Sequence, residues 1–272
     1  MSRACPPVAL SFAAHDPTVG AGLSADLAVF AALGCQPAGV LTGITAQDSA
    51  GVHAFESLTS DWVHRQASVL LADFKPAVFK AGALCSPEVV AAVARTIAQF
   101  PGVPFVLDPV IASGRGDALG REGMREALVS LMPLVSVVTP NVPEALLLTG
   151  ADTGQEAASR LLDWGARAVL LTGTHDESTG DEVVNILYIS GENAISHRCL
   201  RLPGHYHGSG CTLASSLAAF LAQGQAMQSA AVKALRYTWE TLVRANRPGV
   251  GQAIPDRLLG RHWADCDFSG KQ

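Results

Sequence analysis

Charge is scarce in this chain. Of its 272 residues 16% are charged, with a formal net charge of −5. So little charge excludes a disordered protein or one that coats nucleic acid. A mildly acidic surface has no general attraction to DNA, RNA or an anionic membrane, so no such partner is expected. An anionic ligand would have to be caught by local donors. The six cysteines form no C-x-x-C pair and no zinc-like spacing, which argues for reduced thiols in a cytoplasmic protein. No apolar run has membrane character: Gly208 to Val232 is uncharged, but Gln223, Gly224, Gln225 and Gln228 interrupt its middle. Val8 to Ala14 is too short for a signal-peptide core and runs into His15-Asp16-Pro17, so it reads as a first strand. Repeats, low-complexity tracts and Pro/Ser linkers are lacking, and residues 1–272 read as a single domain.

What is present is 49% hydrophobic residues, enough for a large core, arranged as strands alternating with helices. Val8–Ala13 is followed by a glycine loop and a helix over Leu23–Leu33 that Gly34 closes. Gly39–Ile44 reads as a second strand, Thr45–Gly51 as a polar loop, and Asp61–Leu71 as a helix. Val78–Leu84 reads as a strand, then a helix capped by Ser86 with Pro87 in its first turn. Strands at Phe105–Leu107, Leu134–Val138 and Ala168–Leu171, helices near Glu122–Leu131, Pro143–Leu148 and Gln155–Trp164, and a hairpin over Val183–Leu200 follow. A last helix is expected near Ala226–Ala245, and the tail shows little pattern. This alternation predicts an α/β fold with a mainly parallel sheet and ligands at the carboxyl ends of its strands. Asp16, Gln47, Asp108 and Asn141 all fall just past strand ends.

The chain centres on His205-Tyr206-His207-Gly208-Ser209-Gly210-Cys211-Thr212, which runs straight into an apolar helix. Gly208 and Gly210 let the backbone aim successive N–H groups at one point, and the helix adds its positive end, so the segment reads as an anion cradle for phosphate oxygens. Cys211, in the first helical turn, is expected to have its thiolate favoured, making it a proton acceptor or a nucleophile. The plainer reading is a glycine turn before a buried helix with a packed thiol. An H-x-H-x-x-x-C cluster inside such a turn is a poor metal signature, so His205, His207 and Cys211 are not read as ligands.

Six ordered motifs carry a resemblance: D-P-x-x-G-A-G (Asp16–Gly22), A-D-L (Ala25–Leu27), T-A-Q-D (Thr45–Asp48), L-D-P-V (Leu107–Val110), T-P-N-x-P-E (Thr139–Glu144) and H-G-S-G-C-T (His207–Thr212). Together the sequence resembles the ribokinase-like superfamily, most closely its hydroxymethylpyrimidine/phosphomethylpyrimidine kinases of thiamine biosynthesis. The resemblance implies a ribokinase-like three-layer sandwich with helices on both faces of the sheet. It also implies ATP and Mg²⁺ as cofactors, and a pyrimidine alcohol and its monophosphate as substrates, in a homodimer. It makes Gly208, Ser209 and Gly210 the anion hole and Cys211 the catalytic base. It assigns Asp108, Asn141, Glu144 and Thr172 to the nucleotide phosphates, Asp108 and Glu144 to magnesium, partly through water, and Asp26, Gln47 and Ala14 to the pyrimidine. Each residue has a plainer reading too: Asn141 and Glu144 form a capping box, Asp108 a turn cap, Asp26 a solvated helix position and Gln47 a loop polar.

The sequence departs from the family pattern at three places. Ala14 stands where the family has glycine, Ala83 where it has methionine, and Thr172 where it has a lysine near the nucleotide phosphates. The last, with Gly204-His205-Tyr206 in place of a lysine-bearing approach, predicts a slower second phosphorylation, for which Arg115, His205 or His207 could compensate. The rival readings are a pyridoxine/pyridoxal kinase, a cysteine-nucleophile hydrolase or transferase built on Cys211 and His207, and a nucleotide-binding regulator without turnover.

Overall fold

A computed structural model describes residues 5–110, 122–174 and 180–259. The expected glycine loop at Gly114–Asp117, with Arg115, lies outside the described residues. Among the described residues nine strands form one mixed sheet in the order β3-β2-β1-β4-β5-β6-β7-β8-β9. In chain order they are β1 (Val8–His15), β2 (Gln36–Asp48), β3 (Gly51–Ser57), β4 (Pro76–Ala81), β5 (Phe105–Leu107), β6 (Val137–Val138), β7 (Ala168–Leu171), β8 (Glu182–Ile189) and β9 (Ile195–Leu200). Strands β2, β1, β4, β5, β6 and β7 are parallel, while β3, β8 and β9 join antiparallel at the edges.

The helices are α1 (Gly22–Ala32), α2 (Ser60–Asp73), α3 (Pro87–Ile97), α4 (Met124–Ser130), α5 (Val142–Thr149), α6 (Gly154–Asp163), α7 (Ser209–Ala222) and α8 (Met227–Val243). Because side chains alternate across a strand, each central strand feeds two cores. Leu10, Phe12, Phe79, Phe105 and Leu107 pack under α2 to α6. Ala9, Val78, Val106 and Leu170 pack under α1, α7 and α8. The result is the three-layer ribokinase-like sandwich expected from the motifs. Among the described residues no helix is long and apolar enough to cross a membrane.

Local starts follow the sequence closely. Thr59, Ser86 and Thr153 each accept a backbone N–H at the head of α2, α3 and α6, and Pro87 occupies the first turn of α3. Three expectations need correction. Thr45–Asp48 is strand, since β2 continues and pairs with β3, Thr45 opposite Phe55. The loop begins only at the turn where Asp48 Oδ1 accepts Ala50 N–H at 2.7 Å and Gly51 N–H at 3.1 Å. Strand β4 stops at Ala81, and only Val137–Val138 of the expected Leu134–Val138 strand pairs, Met132–Leu134 being a 3-10 turn. The tail is patterned by tertiary pairing: Ala253 exchanges backbone hydrogen bonds with His205 and His207, and Gln252 N–H donates to Ser49 C=O.

Candidate active site

The parallel strands bring five of the flagged positions to one sheet edge. Asp16 follows β1, Gln47 ends β2, Asp108 follows β5, Asn141 follows β6 and Thr172 follows β7. The chain leaves β1 through α1 toward β2 on one side and later returns to β4 on the other, so the crevice of a doubly wound sheet opens beside β1. Helix α7 starts at this crevice. Its N-cap, Gly208, has φ 75° and makes no side-chain cap, leaving the first N–H groups free to face a ligand. A Cβ at Gly208 would sit 1.8 Å from Gly20 C=O, so only glycine allows the cradle and the Asp16–Gly22 loop to meet. Gly210 is exposed and faces open space.

Asp16 organises that loop. Its Oδ1 accepts Thr18 N–H (2.8 Å) and Thr18 Oγ1–H (2.7 Å), and its Oδ2 accepts Ala21 N–H (2.7 Å) and lies 2.7 Å from His207 Nε2. Burial alone would raise its pKa, but hydrogen bonds from His207, Gln47 and Thr18 hold it well below the usual carboxylate range. Gln47 Nε2 lies 3.5 Å from His207 Nε2, so Gln47 stands half-buried at the rim of the crevice. Ala14 is buried in β1 with its N–H on Ala83 C=O at 3.2 Å.

Asp26 is placed differently from the expectation. It is 0% exposed: Oδ1 accepts Ser215 Oγ–H (2.6 Å) and Lys80 Nζ (3.0 Å), and Oδ2 accepts Ser11 Oγ–H (2.6 Å) and Lys80 Nζ (2.8 Å). With four hydrogen bonds from three groups filling both oxygens, its carboxylate has no free face for a pyrimidine. It anchors a buried ion pair beneath the crevice instead. The Lys80 ammonium sits where a Cβ on Gly82 would be, 2.6 Å away, and reaches to 3.9 Å from Asp108 Oδ2. Burial works to discharge Lys80, but the charges of Asp26, Cys211 and Asp108 outweigh it and hold the ammonium protonated.

Cys211 also departs from the expected favoured thiolate. Burial, then the Asp108 charge, push its thiol up to about 12, against the pull of Lys80. Cys211 is half-buried at the crevice, and the dipole of α7 does not offset the low-dielectric, carboxylate-rich floor beneath it. Asp108 is itself raised, first by burial and then by Asp26, with Lys80 opposing. Its Oδ2 is buried without a hydrogen-bond partner. Glu144 closes the capping box, Oε2 accepting Asn141 N–H at 2.9 Å and Asn141 Oδ1 accepting Glu144 N–H at 2.8 Å. Burial and the Asp108 charge push Glu144 up to about 8. Two carboxyls near enough for Asp108 to raise Glu144, one with an oxygen unpartnered among the described residues, are oxygen donors that a divalent cation would relieve, so the residues fit magnesium. Thr172 is buried, its N–H on Pro140 C=O at 3.0 Å and its C=O accepting Val142 N–H at 3.2 Å.

The Phosphomethylpyrimidine kinase family profile matches residues 16–255. The chain belongs to that family. It is a phosphotransferase of the phosphomethylpyrimidine kinase type, 38% identical to a hydroxymethylpyrimidine/phosphomethylpyrimidine kinase of Rhizobium meliloti over 95% of this chain and 99% of the relative. The phosphomethylpyrimidine kinase of Clostridium difficile superposes with a TM-score of 0.75 at 31% identity, covering 87% of this chain and 99% of that one. The pyridoxal kinase of Staphylococcus aureus in complex with AMP-PCP and pyridoxal superposes with a TM-score of 0.84 at 25% identity, covering 94% and 95%.

Sequence reasoning missed the parts that four residues play in this phosphomethylpyrimidine kinase site. Asp16 lay inside a quoted motif without a role, although an aspartate opening a glycine turn is a sign of a side chain that accepts the turn's N–H groups, and His207 was weighed as a compensating charge or a partner of Cys211 but not as the partner of Asp16. Lys80 had a signal as well, being a lone charge in the apolar run Val78-Phe79-Lys80-Ala81, which can be buried only with a partner. Arg257, in the unpatterned tail, carried none.

Proposed function

We propose that this kinase transfers the γ-phosphoryl group of ATP to the hydroxymethyl oxygen of 4-amino-5-hydroxymethyl-2-methylpyrimidine and, more slowly, a second one to the resulting monophosphate, in thiamine biosynthesis or salvage. The observation that carries the reading is the position of Cys211. It stands in the first turn of a glycine-started helix, over a floor shared with Asp108 and Glu144, in a chain of the phosphomethylpyrimidine kinase family. The free N–H groups of Gly208, Ser209 and Gly210 hold the transferred phosphoryl oxygens. Cys211 takes the hydroxymethyl proton as the alcohol oxygen bonds to the γ-phosphorus and the bond to ADP breaks. Its high pKa makes the thiolate a strong base once formed, and Lys80 is the fixed charge that favours that form. Asp108 and Glu144 are the residues that would hold magnesium, partly through water, and the bound ion would supply charge neutralisation for the phosphates. Gln47 and Ala14 stay assigned to the pyrimidine side, and Asn141 and Thr172 to the phosphate side, where Thr172 supplies no charge.

The test is incubation with Mg-ATP and, separately, the pyrimidine alcohol, its monophosphate, pyridoxine and pyridoxal, with products read by mass spectrometry. Phosphorylated pyrimidine supports the reading, and turnover of the pyridoxine vitamers alone overturns it. Monophosphate conversion as fast as the first step, and unchanged by Thr172→Lys, would refute the charge argument for the second step. A homodimer in the cytoplasm belongs to this proposal, and sedimentation at enzyme concentrations tests the dimer.

A further inference from the structure

Arg257 is 5% exposed, although it is an arginine in a segment without secondary structure. Its Nε donates to Thr212 Oγ1 at 3.1 Å, Nη1 to Val19 C=O at 3.0 Å and Nη2 to Gly20 C=O. Its own C=O is held by the Tyr237 hydroxyl from α8. Among the described residues no carboxylate lies within ion-pair distance of it, so the guanidinium is fixed by geometry and not by a counter-ion. The three acceptors belong to two loops that must cooperate. Val19 and Gly20 lie in the loop shaped by Asp16, on the acceptor side, and Thr212 lies in the first turn of α7, next to Cys211. Thr212 passes the link onward, its hydroxyl donating to Gly208 C=O at 2.8 Å.

A second observation concerns Val19. Its φ is 60°, in the left-handed region that a β-branched residue rarely occupies. Such a conformation persists only where surrounding contacts over-determine it. Here Val19 N–H donates to Asp16 C=O at 3.1 Å and its C=O receives the Arg257 guanidinium. The loop is thus held in a strained form by a residue 238 positions later in the chain.

We propose that Arg257 is a positioning residue for phosphoryl transfer, a planar clamp that locks the acceptor-side loop Val19–Ala21 to the anion cradle at the start of α7. This rests on the kinase reading above. A clamp between acceptor and donor subsites fixes the distance between the attacking oxygen and the phosphorus without touching either. Loosening it leaves each ligand bound but lets water take the acceptor's place. The diagnostic quantity is therefore the ratio of phosphorylated alcohol to ADP formed, which does not depend on how much of the protein is folded.

The experiment measures both products in the same quenched samples, with Mg-ATP and the pyrimidine alcohol. Arg257→Lys keeps the charge but cannot reach three acceptors in one plane. It is expected to lower transfer about tenfold to a hundredfold, the scale of a small misplacement of reacting groups, and to drop the product-to-ADP ratio from near one to below about a half. Michaelis constants for both substrates should move little. If Arg257→Lys does not fold, Thr212→Val, which removes one acceptor, and Val19→Gly, which releases the strained loop, should lower the ratio in the same direction. A ratio held at one in the folded variants overturns the clamp. Failure of the wild type to phosphorylate the pyrimidine overturns the kinase reading and the clamp together, whereas a working wild type with an indifferent Arg257→Lys overturns the clamp alone.

Discussion

The two faces of the sheet are built on opposite terms. Under α2 to α6 the strands present Leu10, Phe12, Phe79, Phe105 and Leu107 to an apolar cover. Under α1 and α7 the same strands present Ser11 and Lys80 to Asp26 and Ser215, all at 0% exposure. The first face needs only volume and shape. The second keeps an apolar core around Ala9, Val78, Val106 and Leu170 but sets a fixed charge pair into it, beneath the crevice where Cys211, Asp108 and Glu144 meet. The difference teaches that one face of the sheet serves stability alone, whereas the other serves stability and chemistry together.

The sharpest test of that difference is on the charged side. Cys211→Ala should lose about two to four powers of ten in turnover, the span of a general base, with the urea midpoint nearly unchanged. Cys211→Asp should restore part of the rate, and a trapped phospho- or acyl-cysteine on the wild type would overturn the base role. Breaking the ion pair costs fold as well as function: Lys80→Met strands a buried carboxylate and should destabilise by about 3–5 kcal/mol in urea unfolding. The double variant Lys80→Met/Asp26→Leu should regain much of the stability but not the activity. On the apolar side, Leu128→Ala should cost about 2–5 kcal/mol and leave kcat unaltered below its unfolding transition. Loss of kcat there without loss of stability would break the comparison.

The smallest expected effect is on pH dependence. The Glu144 carboxyl is raised to about 8 in the folded chain, above its unfolded value near 4.5. Between those values the folded state binds the extra proton, so Glu144 makes stability fall as pH rises from about 4.5 to 8. Glu144→Gln should flatten that slope in thermal melts taken across the range. Magnesium added to the wild type at pH 8 should raise the melting temperature, and no response in either measurement would remove Glu144 from the cation site.

Much of this was legible before any coordinates. The strands that failed to appear as expected are those whose length depends on a partner. Thr45–Asp48 looks like a loop because its residues are polar, and it is strand because β3 pairs with it. The glycine start of α7 and the Asn141/Glu144 capping box were readable because glycine turns and caps are local chemistry, whereas Asp108 was legible only as a position just past a strand. Asp26 was misread because a carboxylate on a helix is usually solvated, and only the register of Lys80 across β4 reveals that it is not. The Cys211 thiol was misread for a related reason. A helix start is visible in sequence, but the carboxylates that the fold gathers beneath it, Asp108 first, are not.

The link from Val19 to Arg257 also has a bearing on how the molecule is assembled. The Val19–Arg257 contact spans 238 positions and needs both glycine loops already in place, so it can close only on an assembled sheet. The sheet order needs nothing beyond β9, and both cores are complete by the end of α8. A chain interrupted between Val243 and Arg257 would therefore be compact, helical and sheet-rich by spectroscopy, with its two glycine loops still joined by His207 and Asp16 but without the guanidinium that fixes Val19 and Gly20.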